Sequence, residues 1–574
     1  MADYDIRITY GDISVGDSAA DMARSGDLVG VVDGYFRTVG QMGRYSTSAQ
    51  AILDWYCDAQ ERPLEGSFSA VVFDRRSNRA ILISDRFGTR PLYYVVREGY
   101  LHASTRLVNL LNEPDSLTVS SDALSDSMAL GFVRAPDTLL KGIRRVPRNA
   151  RVTMDLVQGC EECKHYPDPL INLGPRNGTL EDLKAEVRKS LEQECALLAE
   201  QYDTAAILLS GGIDSSILAA MASRTFRRCI AYSCEIEGFD NPELERAAYV
   251  AEQLNLEHKI VTLRNAELPR LFSEMVNLTE GPSRYINSLV TLRIMEEITD
   301  ADVILGGDGA DALFGSVNQR TVSNLNAKHR LLNRLPSLVR RGLLRLSSVS
   351  PGRRANRFTR LLNRNIDELV DKVFTIEYAD SEEKLASEWG VPPFKGTALC
   401  PPASDTPVSR SIEVNFQLFL NSMLMRNSQL ASEKAHLHYP FLVDRMIEVS
   451  KSVPDRLRFN ARGKTKFVLR SLCDDLLGPT VTGWSKIGFV TPEKAWLDNQ
   501  LSGPVNRLFA NQGAVSEVLG WNLSERDRSV LKNSTRMLWW LITLDEALTG
   551  FQLRKQSTMV HPAERNSIAK GQSR

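Results

Sequence analysis

No run of about 18 uncharged apolar residues, the length a membrane-crossing helix needs, occurs in the 574 residues of this chain. The opening MADYDIRITYGDISVGD has no basic segment leading into an apolar run, so it does not read as a secretory signal. The cytoplasm is the expected location. Neither sign of charge is in excess: 70 Lys and Arg stand against 71 Asp and Glu, and nothing global argues for nucleic acid as a partner. The eight cysteines are scattered, which fits reduced thiols buried as small side chains. One pair, Cys160-Glu161-Glu162-Cys163, has ligand-like spacing. It lacks the second pair that a structural zinc site requires, and Lys164 stands where a c-type haem attachment needs histidine. A surface loop is expected there.

What remains is ordinary soluble composition, 43% hydrophobic and 25% charged, in a chain long enough for several domains. Residues 1–165 read as mostly β. Short apolar or alternating runs such as Asp27–Asp33, Ser67–Asp74 and Ala80–Ser84 are punctuated by Gly, Asp and Asn, with one helix near Ser48–Cys57. Repeated strands with few helices imply sheets packed face to face. Residues 166–180 are rich in Pro, Gly and Asn and read as a linker. Thr179 is the expected N-cap of a helix running to about Glu200.

From Thr204 the pattern changes. Apolar runs at Ala205–Leu209, Cys229–Cys234, His258–Thr262 and Val303–Leu305 alternate with helical stretches, which implies a parallel sheet covered on both faces. This second domain spans 181–555, and the polar residues 556–574 read as a disordered tail. Basic residues crowd 317–365 with leucines at helical spacing. Two amphipathic helices with solvated outer faces are expected there, in preference to a docking face for an acidic partner or a membrane.

The most specific local signal is Ile207-Leu-Leu-Ser-Gly-Gly-Ile-Asp-Ser-Ser216, an apolar strand entering Ser210-Gly211-Gly212 before a helix. Two glycines let the backbone turn sharply and approach a ligand, and amides at a helix start face an anion. Ser210 and Ser215 offer hydroxyls, and Asp214 is a hard oxygen ligand suited to Mg²⁺ beside phosphates. No GK[ST] follows, so this is not a Walker A loop. SGGxDS is the signature of the pyrophosphatase-type loop, whose enzymes cleave ATP between the α and β phosphates. A second strand enters a glycine-rich turn at Val303–Gly315, carrying Asp308 and Asp311. Asp311 is expected to complete a Mg²⁺ site with Asp214, and Asp308 to act as a base or to position an amine. Further on, Lys486 in Trp484-Ser-Lys-Ile-Gly-Phe489 reads on its own as a solvated surface charge, the alternative being a lysine that reaches the α phosphate, with Lys464 and Lys466 upstream in a basic turn.

These motifs, with Leu64-Glu-Gly-Ser-Phe68, Asp85-Arg-Phe-Gly-Thr-Arg-Pro-Leu-Tyr-Tyr94 and Tyr439-Pro-Phe-Leu442, resemble the asparagine synthetase family along nearly the whole chain. The resemblance implies an N-terminal four-layer αββα domain of the Ntn-hydrolase type and a C-terminal α/β ATP pyrophosphatase domain. It implies adenylation of a carboxylate by Mg-ATP, then attack by an amine with loss of AMP. Leu209, Cys234, Gly306 and Gly307 would frame the nucleotide. Ser210, Gly211, Gly212 and Ser215 would hold phosphate, Asp214 and Asp311 would hold Mg²⁺, and Lys486 would be the catalytic lysine.

Departures from the family shape the expected function. Family glutaminases begin Met-Cys, and that thiol attacks glutamine; here Met1-Ala2-Asp3 opens the chain and the first cysteine is Cys57. The family's Arg-Gly-Pro-Asp is missing, and Val32-Asp-Gly-Tyr35 replaces the Asn-Gly-Glu of the glutamine pocket. Asp85 alone keeps a pocket position. The expectation is a domain without glutaminase activity. Ala312 replaces a glutamate, and His436-Leu437-His438 replaces a glutamate and an arginine before Tyr439-Pro440, so the acceptor need not be aspartate. Three readings stand: a ligase joining a small-molecule or peptide carboxylate to an amine, as in the β-lactam synthetases and lasso-peptide cyclases; an asparagine synthase or sugar-acid amidotransferase using glutamine or free ammonia; and a non-catalytic scaffold. A homodimer is the candidate assembly.

Overall fold

A computed structural model describes residues 5–9, 12–16, 21–38, 49–57, 64–113, 117–166, 178–339, 341–343, 370, 373–376, 380–394, 406–431, 436–459, 464–485 and 490–560. The described residues of the N-terminal domain hold eleven strands: β1 (Asp5–Thr9), β2 (Asp12–Val15), β3 (Asp21–Ser25), β4 (Leu28–Thr38), β5 (Leu64–Asp74), β6 (Arg79–Ser84), β7 (Tyr93–Arg97), β8 (Tyr100–Ser104), β9 (Arg144–Arg145), β10 (Ala150–Asp155) and β11 (Cys160–His165). They form two antiparallel sheets, ordered β2-β1-β8-β7-β9 and β11-β10-β6-β5-β4-β3.

Side chains alternate across a strand, so β5 serves two cores at once. Its Val71 and Phe73 pack between the sheets with Ile6, Ile8, Leu82 and Leu101. Its Phe68, Ala70 and Val72 pack outward under the helix Ala49–Cys57, against Ile52, Leu53 and Trp55. Burial of each valine, leucine, isoleucine and phenylalanine among them contributes about 1.5–3 kcal/mol of transfer free energy. On the far side, Tyr93 and Val95 of β7 pack against Leu124 and Met128 of the helix Ser121–Leu130. Helix, sheet, sheet and helix thus make the expected αββα stack.

The expected loop at Cys160–Cys163 is instead strand β11, paired along its length with β10. The extended pairing of Ala150–Asp155 leaves an edge that this strand covers. Residues three apart on a strand face opposite sides, so Cys160 and Cys163 do not converge.

The second domain opens with the helix Leu180–Ala199. Thr179 caps it in a reciprocal box: Asp182 N–H donates to Thr179 Oγ1 at 3.2 Å, and Thr179 N–H donates to Asp182 Oδ2 at 3.0 Å. Among the described residues five parallel strands follow: β12 (Thr204–Leu208), β13 (Arg228–Ile236), β14 (Glu257–Leu263), β15 (Val303–Leu305) and β16 (His436–His438), ordered β14-β13-β12-β15-β16. The chain winds outward from β12 one way through β13 and β14, and the other way through β15 and β16. The reversal falls between β12 and β15, whose carboxyl ends flank the crevice where such sheets bind ligands.

Of the basic region 317–365, Val317–Asn333 is a helix with Val322 buried and Leu331 exposed, and residues 344–365 lie outside the described residues. The tail begins later than its composition implies, because the helix Thr535–Val560 runs through residues 556–560. Trp539, Trp540 and Leu541 anchor that helix in the core. No described helix is long and apolar enough to cross a membrane.

Candidate active site

β12 delivers the chain into Ser210-Gly211-Gly212, and the helix Ile213–Ala222 starts at once. Gly211 is in the left-handed region at φ +69, and a Cβ there would lie 2.5 Å from Arg246 Cβ and 2.6 Å from Ala247 N. Only glycine meets both demands. Gly212 caps the helix with no side-chain partner, which leaves first-turn N–H groups facing the crevice. The two serines brace the turn: Ser210 N–H donates to Ser215 Oγ at 3.3 Å, and Gly212 N–H donates to Ser210 Oγ at 3.3 Å.

Across the crevice, β15 enters Gly306-Gly307-Asp308-Gly309. A Cβ at Gly307 would stand 3.3 Å from Ser215 N, so the two loops lie back to back. A Cβ at Gly306 would lie 2.9 Å from the Tyr439 ring, which closes the other side. Asp214 and Asp311 converge on one cation. Lys466 Nζ pairs with Asp214 Oδ2 and lies 2.9 Å from Asp311 Oδ1. Burial pulls the Lys466 pKa down, but the two carboxylates outweigh it and the net shift is upward, so the ammonium stays charged. Lys466 also holds a left-handed backbone at φ +59, a costly conformation for a non-glycine residue at about 1–3 kcal/mol.

Asp308 faces the same crevice and accepts a hydrogen bond from Asn427 Nδ2 at 3.3 Å. Burial pushes its carboxyl up to about 6, against the pull of Arg426; Asp214 and Asp311 add to the rise. A carboxylate near that value is matched to proton transfer at neutral pH. Asp214, Asp308 and Asp311, with the two glycine turns, line a cleft of about 1050 Å³ that also takes in Tyr285, Phe419, Arg284, Arg426 and Arg536; Lys466 lies buried behind the two aspartates.

The sequence matches the family described as asparagine synthase over residues 186–549, well over half of the chain. The chain belongs to the asparagine synthase family. Residues 47–166 match a glutamine amidotransferase domain. Asparagine synthetase [glutamine-hydrolyzing] 1 of Bacillus subtilis is 23% identical over 460 residues, 78% of this chain and 71% of that protein. A putative asparagine synthetase [glutamine-hydrolyzing] of Mycobacterium tuberculosis is 24% identical, over 77% of this chain and 69% of that protein. The carboxyethyl-arginine beta-lactam-synthase of Streptomyces clavuligerus is 29% identical over 45% of this chain and 48% of that protein. This asparagine synthase-family member is thus an ATP-using carbon–nitrogen ligase.

Within that family frame, the structure gathers Ser210, Gly212, Asp214, Ser215, Gly306, Gly307, Asp308 and Asp311 around one cleft. Gly211 shapes the loop without lining it. Two expected nucleotide-framing residues point elsewhere. Leu209 is buried in the core; its N–H donates to Tyr232 O at 2.9 Å, and its carbonyl accepts from Ser233 Oγ at 2.6 Å. Leu208 lines the cleft instead. Cys234 is packed among apolar side chains on the other face, and burial pushes its thiol up to about 12. The strand alternation places consecutive residues on opposite faces, and a one-position error reverses the assignment.

Lys466 is the residue that sequence reasoning passed over as a basic turn. Lys486 lies outside the described residues. Ser485, one position before it, accepts a hydrogen bond at 2.8 Å from Arg246, the residue whose Cβ stands against Gly211. Trp484 packs edge-on against Tyr249, 5.6 Å between ring centres.

Asp85 is placed differently from an open pocket residue. Its oxygens accept from the N–H groups of Phe68 (3.1 Å), Phe87 (2.8 Å) and Thr89 (3.0 Å) and from Thr89 Oγ1 (2.5 Å). This saturated carboxylate organises its own turn. Beside it, Asp33 of the Val32–Tyr35 segment forms a buried ion pair with Arg90 at 2.7 Å.

Proposed function

We propose that this chain activates a carboxylate with Mg-ATP and joins it to an amine taken from solution. The observation that carries this reading is the convergence of Asp214, Asp311 and Lys466 beside the open helix start at Gly212. In outline, a carboxylate oxygen of the substrate attacks the α phosphorus, and the bond to the β-phosphate oxygen breaks. Pyrophosphate leaves. The amine then attacks the acyl carbon, gives up a proton, and AMP departs.

The chain's own residues divide this work. First-turn amides after Gly212 and the hydroxyls of Ser210 and Ser215 receive phosphate oxygens. Lys466, held charged between two aspartates, meets the negative charge that gathers on the leaving pyrophosphate. Asp214 and Asp311 offer hard carboxylate oxygens of the kind Mg²⁺ takes beside phosphates; a bound ion would neutralise phosphate charge. Asp308 accepts the proton of the attacking amine, with Asn427 fixing its carboxylate. Lys486 remains assigned to the α phosphate on the family resemblance.

The relatives that hydrolyse glutamine favour glutamine as the nitrogen source. Against it stand the saturated Asp85 and the Asp33–Arg90 pair, at positions that the family resemblance alone ties to a glutamine pocket. We therefore assign the N-terminal domain a structural part. ATP consumption fits a cytoplasmic setting.

The test is release of AMP and pyrophosphate from Mg-ATP with aspartate plus either ammonia or glutamine. Asparagine from glutamine would overturn the structural role of the N-terminal domain. Asparagine from ammonia alone would identify an ammonia-dependent synthetase. If ATP is cleaved to ADP instead, the adenylation reading fails.

A further inference from the structure

A second cavity, about 80 Å³, lies beside the nucleotide cleft and is walled by both halves of the chain. Arg426 and Tyr285 line the cavity and the cleft alike, so the two spaces share a wall. The N-terminal half contributes Tyr93, Val133 and Arg145.

Among the described residues, two polar side chains in this wall carry atoms with no hydrogen-bond partner. Gln429 is 3% exposed, and neither its Oε1 nor its Nε2 has a hydrogen-bond partner. Arg426 is 8% exposed, with Nε and Nη1 unpartnered. Its Nη2 donates to Asn427 Oδ1 at 3.2 Å, and its guanidinium lies 4.0 Å from the centre of the Tyr285 ring. Among the described residues no carboxylate forms an ion pair with Arg426. Arg145, by contrast, is engaged: Nη2 donates to Val133 O at 2.8 Å and Nη1 contacts Met425 Sδ at 3.2 Å.

Arg426 and Gln429 lie three positions apart on the helix Asn421–Leu430, so they occupy one face. Buried polar groups without partners are rare, and each needs an explanation. A guanidinium edge with two free donors calls for a carboxylate. A carboxamide lacking both donor and acceptor partners calls for another amide. Asn427, between them, donates to Asp308. The chamber therefore opens beside the group assigned to the proton transfer.

We propose that this chamber is the specificity site for the non-reacting end of the carboxylate substrate, and that this end carries a second carboxylate and an amide. An N-acylated acidic amino acid has this pattern. Its side-chain carboxylate reaches the nucleotide, its α-carboxylate meets Arg426, and its amide meets Gln429. The N-terminal half then closes the acceptor site. This inference rests on the ligase reading above.

The experiment is calorimetric titration of the full chain, with Mg²⁺ and α,β-methylene-ATP bound, against N-acetylaspartate, succinate, N-acetylglutamate and glutarate. The acetylated member of at least one matched pair should bind about tenfold tighter than its plain diacid. Gln429→Met, close in volume, should erase most of that ratio and leave the affinity for α,β-methylene-ATP unchanged. Gln429→Glu keeps the length and adds a negative charge; it should weaken all four acids and serves if the methionine variant fails to fold. Equal affinities within both pairs, an unchanged ratio in the variants, or no binding of any acid to the nucleotide-loaded protein would overturn the inference and leave the ligase reading intact. Failure of α,β-methylene-ATP itself to bind would overturn both.

Discussion

Tyr35 and His438 share a buried hydrogen bond from Oη to Nδ1, although 403 positions separate them. The other ring nitrogen of His438 lies 2.8 Å from Glu194 Oε1. Burial first, then the Glu194 charge, raises the Tyr35 pKa well above its usual value, so the phenol keeps its proton and donates. His438 Nε2 then donates to Glu194. Tyr35 belongs to the Val32–Tyr35 segment of the N-terminal sheet, and His438 to the last strand of the parallel sheet. The bond therefore joins the two domains. Tyr35→Phe should lower stability by about 0.5–1.5 kcal/mol by leaving His438 Nδ1 short of this donor. Urea denaturation checks this, and an unchanged midpoint would show that the bond contributes nothing.

Lys466→Ala should reduce kcat/KM for ATP by at least about a hundredfold, ~2.7 kcal/mol, because the only described cation touching both Asp214 and Asp311 disappears. Lys466→Arg should recover part of the loss by restoring charge. Steady-state pyrophosphate release measures both. Wild-type turnover in the alanine variant would remove Lys466 from the site.

Activity should rise with pH through about 6, the value to which burial lifts Asp308. Below that pH Asp308 holds its proton and cannot accept another; above it the base is free. The profile to record is kcat/KM, which reports groups in the free enzyme. The same shift has the opposite sign for stability. A carboxyl with a raised folded pKa favours folding when protonated, at pH below its ordinary value, and loses that contribution as pH climbs through about 6. Asp308→Asn should therefore abolish turnover and raise the denaturation midpoint at pH 7.

Asp85→Ala should cost about 1–3 kcal/mol or more, since three buried backbone N–H groups and a hydroxyl lose their acceptor. Differential unfolding of the N-terminal half is the readout. Full stability in the variant would contradict the role of a turn organiser.

The phosphate-facing loops were legible because their chemistry is local. Gly211 is required by a positive φ and by the closeness of Arg246, and the SGG pattern announces such a turn. The strands β12 and β15 follow from short, wholly apolar runs, since parallel strands are covered on both faces. Thr179 and its acidic partner Asp182 likewise write a helix start into four adjacent residues. Which residue of a strand faces the cleft was less legible: Leu208 and Leu209 are equally apolar, and only packing tells them apart.

Sequence alone determined four strands of the parallel sheet, the two glycine turns and the carboxylates that flank them. Each depends on residues close together in the chain. Tertiary structure decided what meets across the fold. It set Lys466 between Asp214 and Asp311, joined Tyr35 to His438 and Glu194, closed Asp85 on its own turn, and left Arg426 and Gln429 unmet in a chamber shared by both halves. A lone lysine, tyrosine or glutamine carries no local mark of its partner. Charge, burial and hydrogen bonding act over a few ångströms in space, and only the folded chain brings those groups within that range.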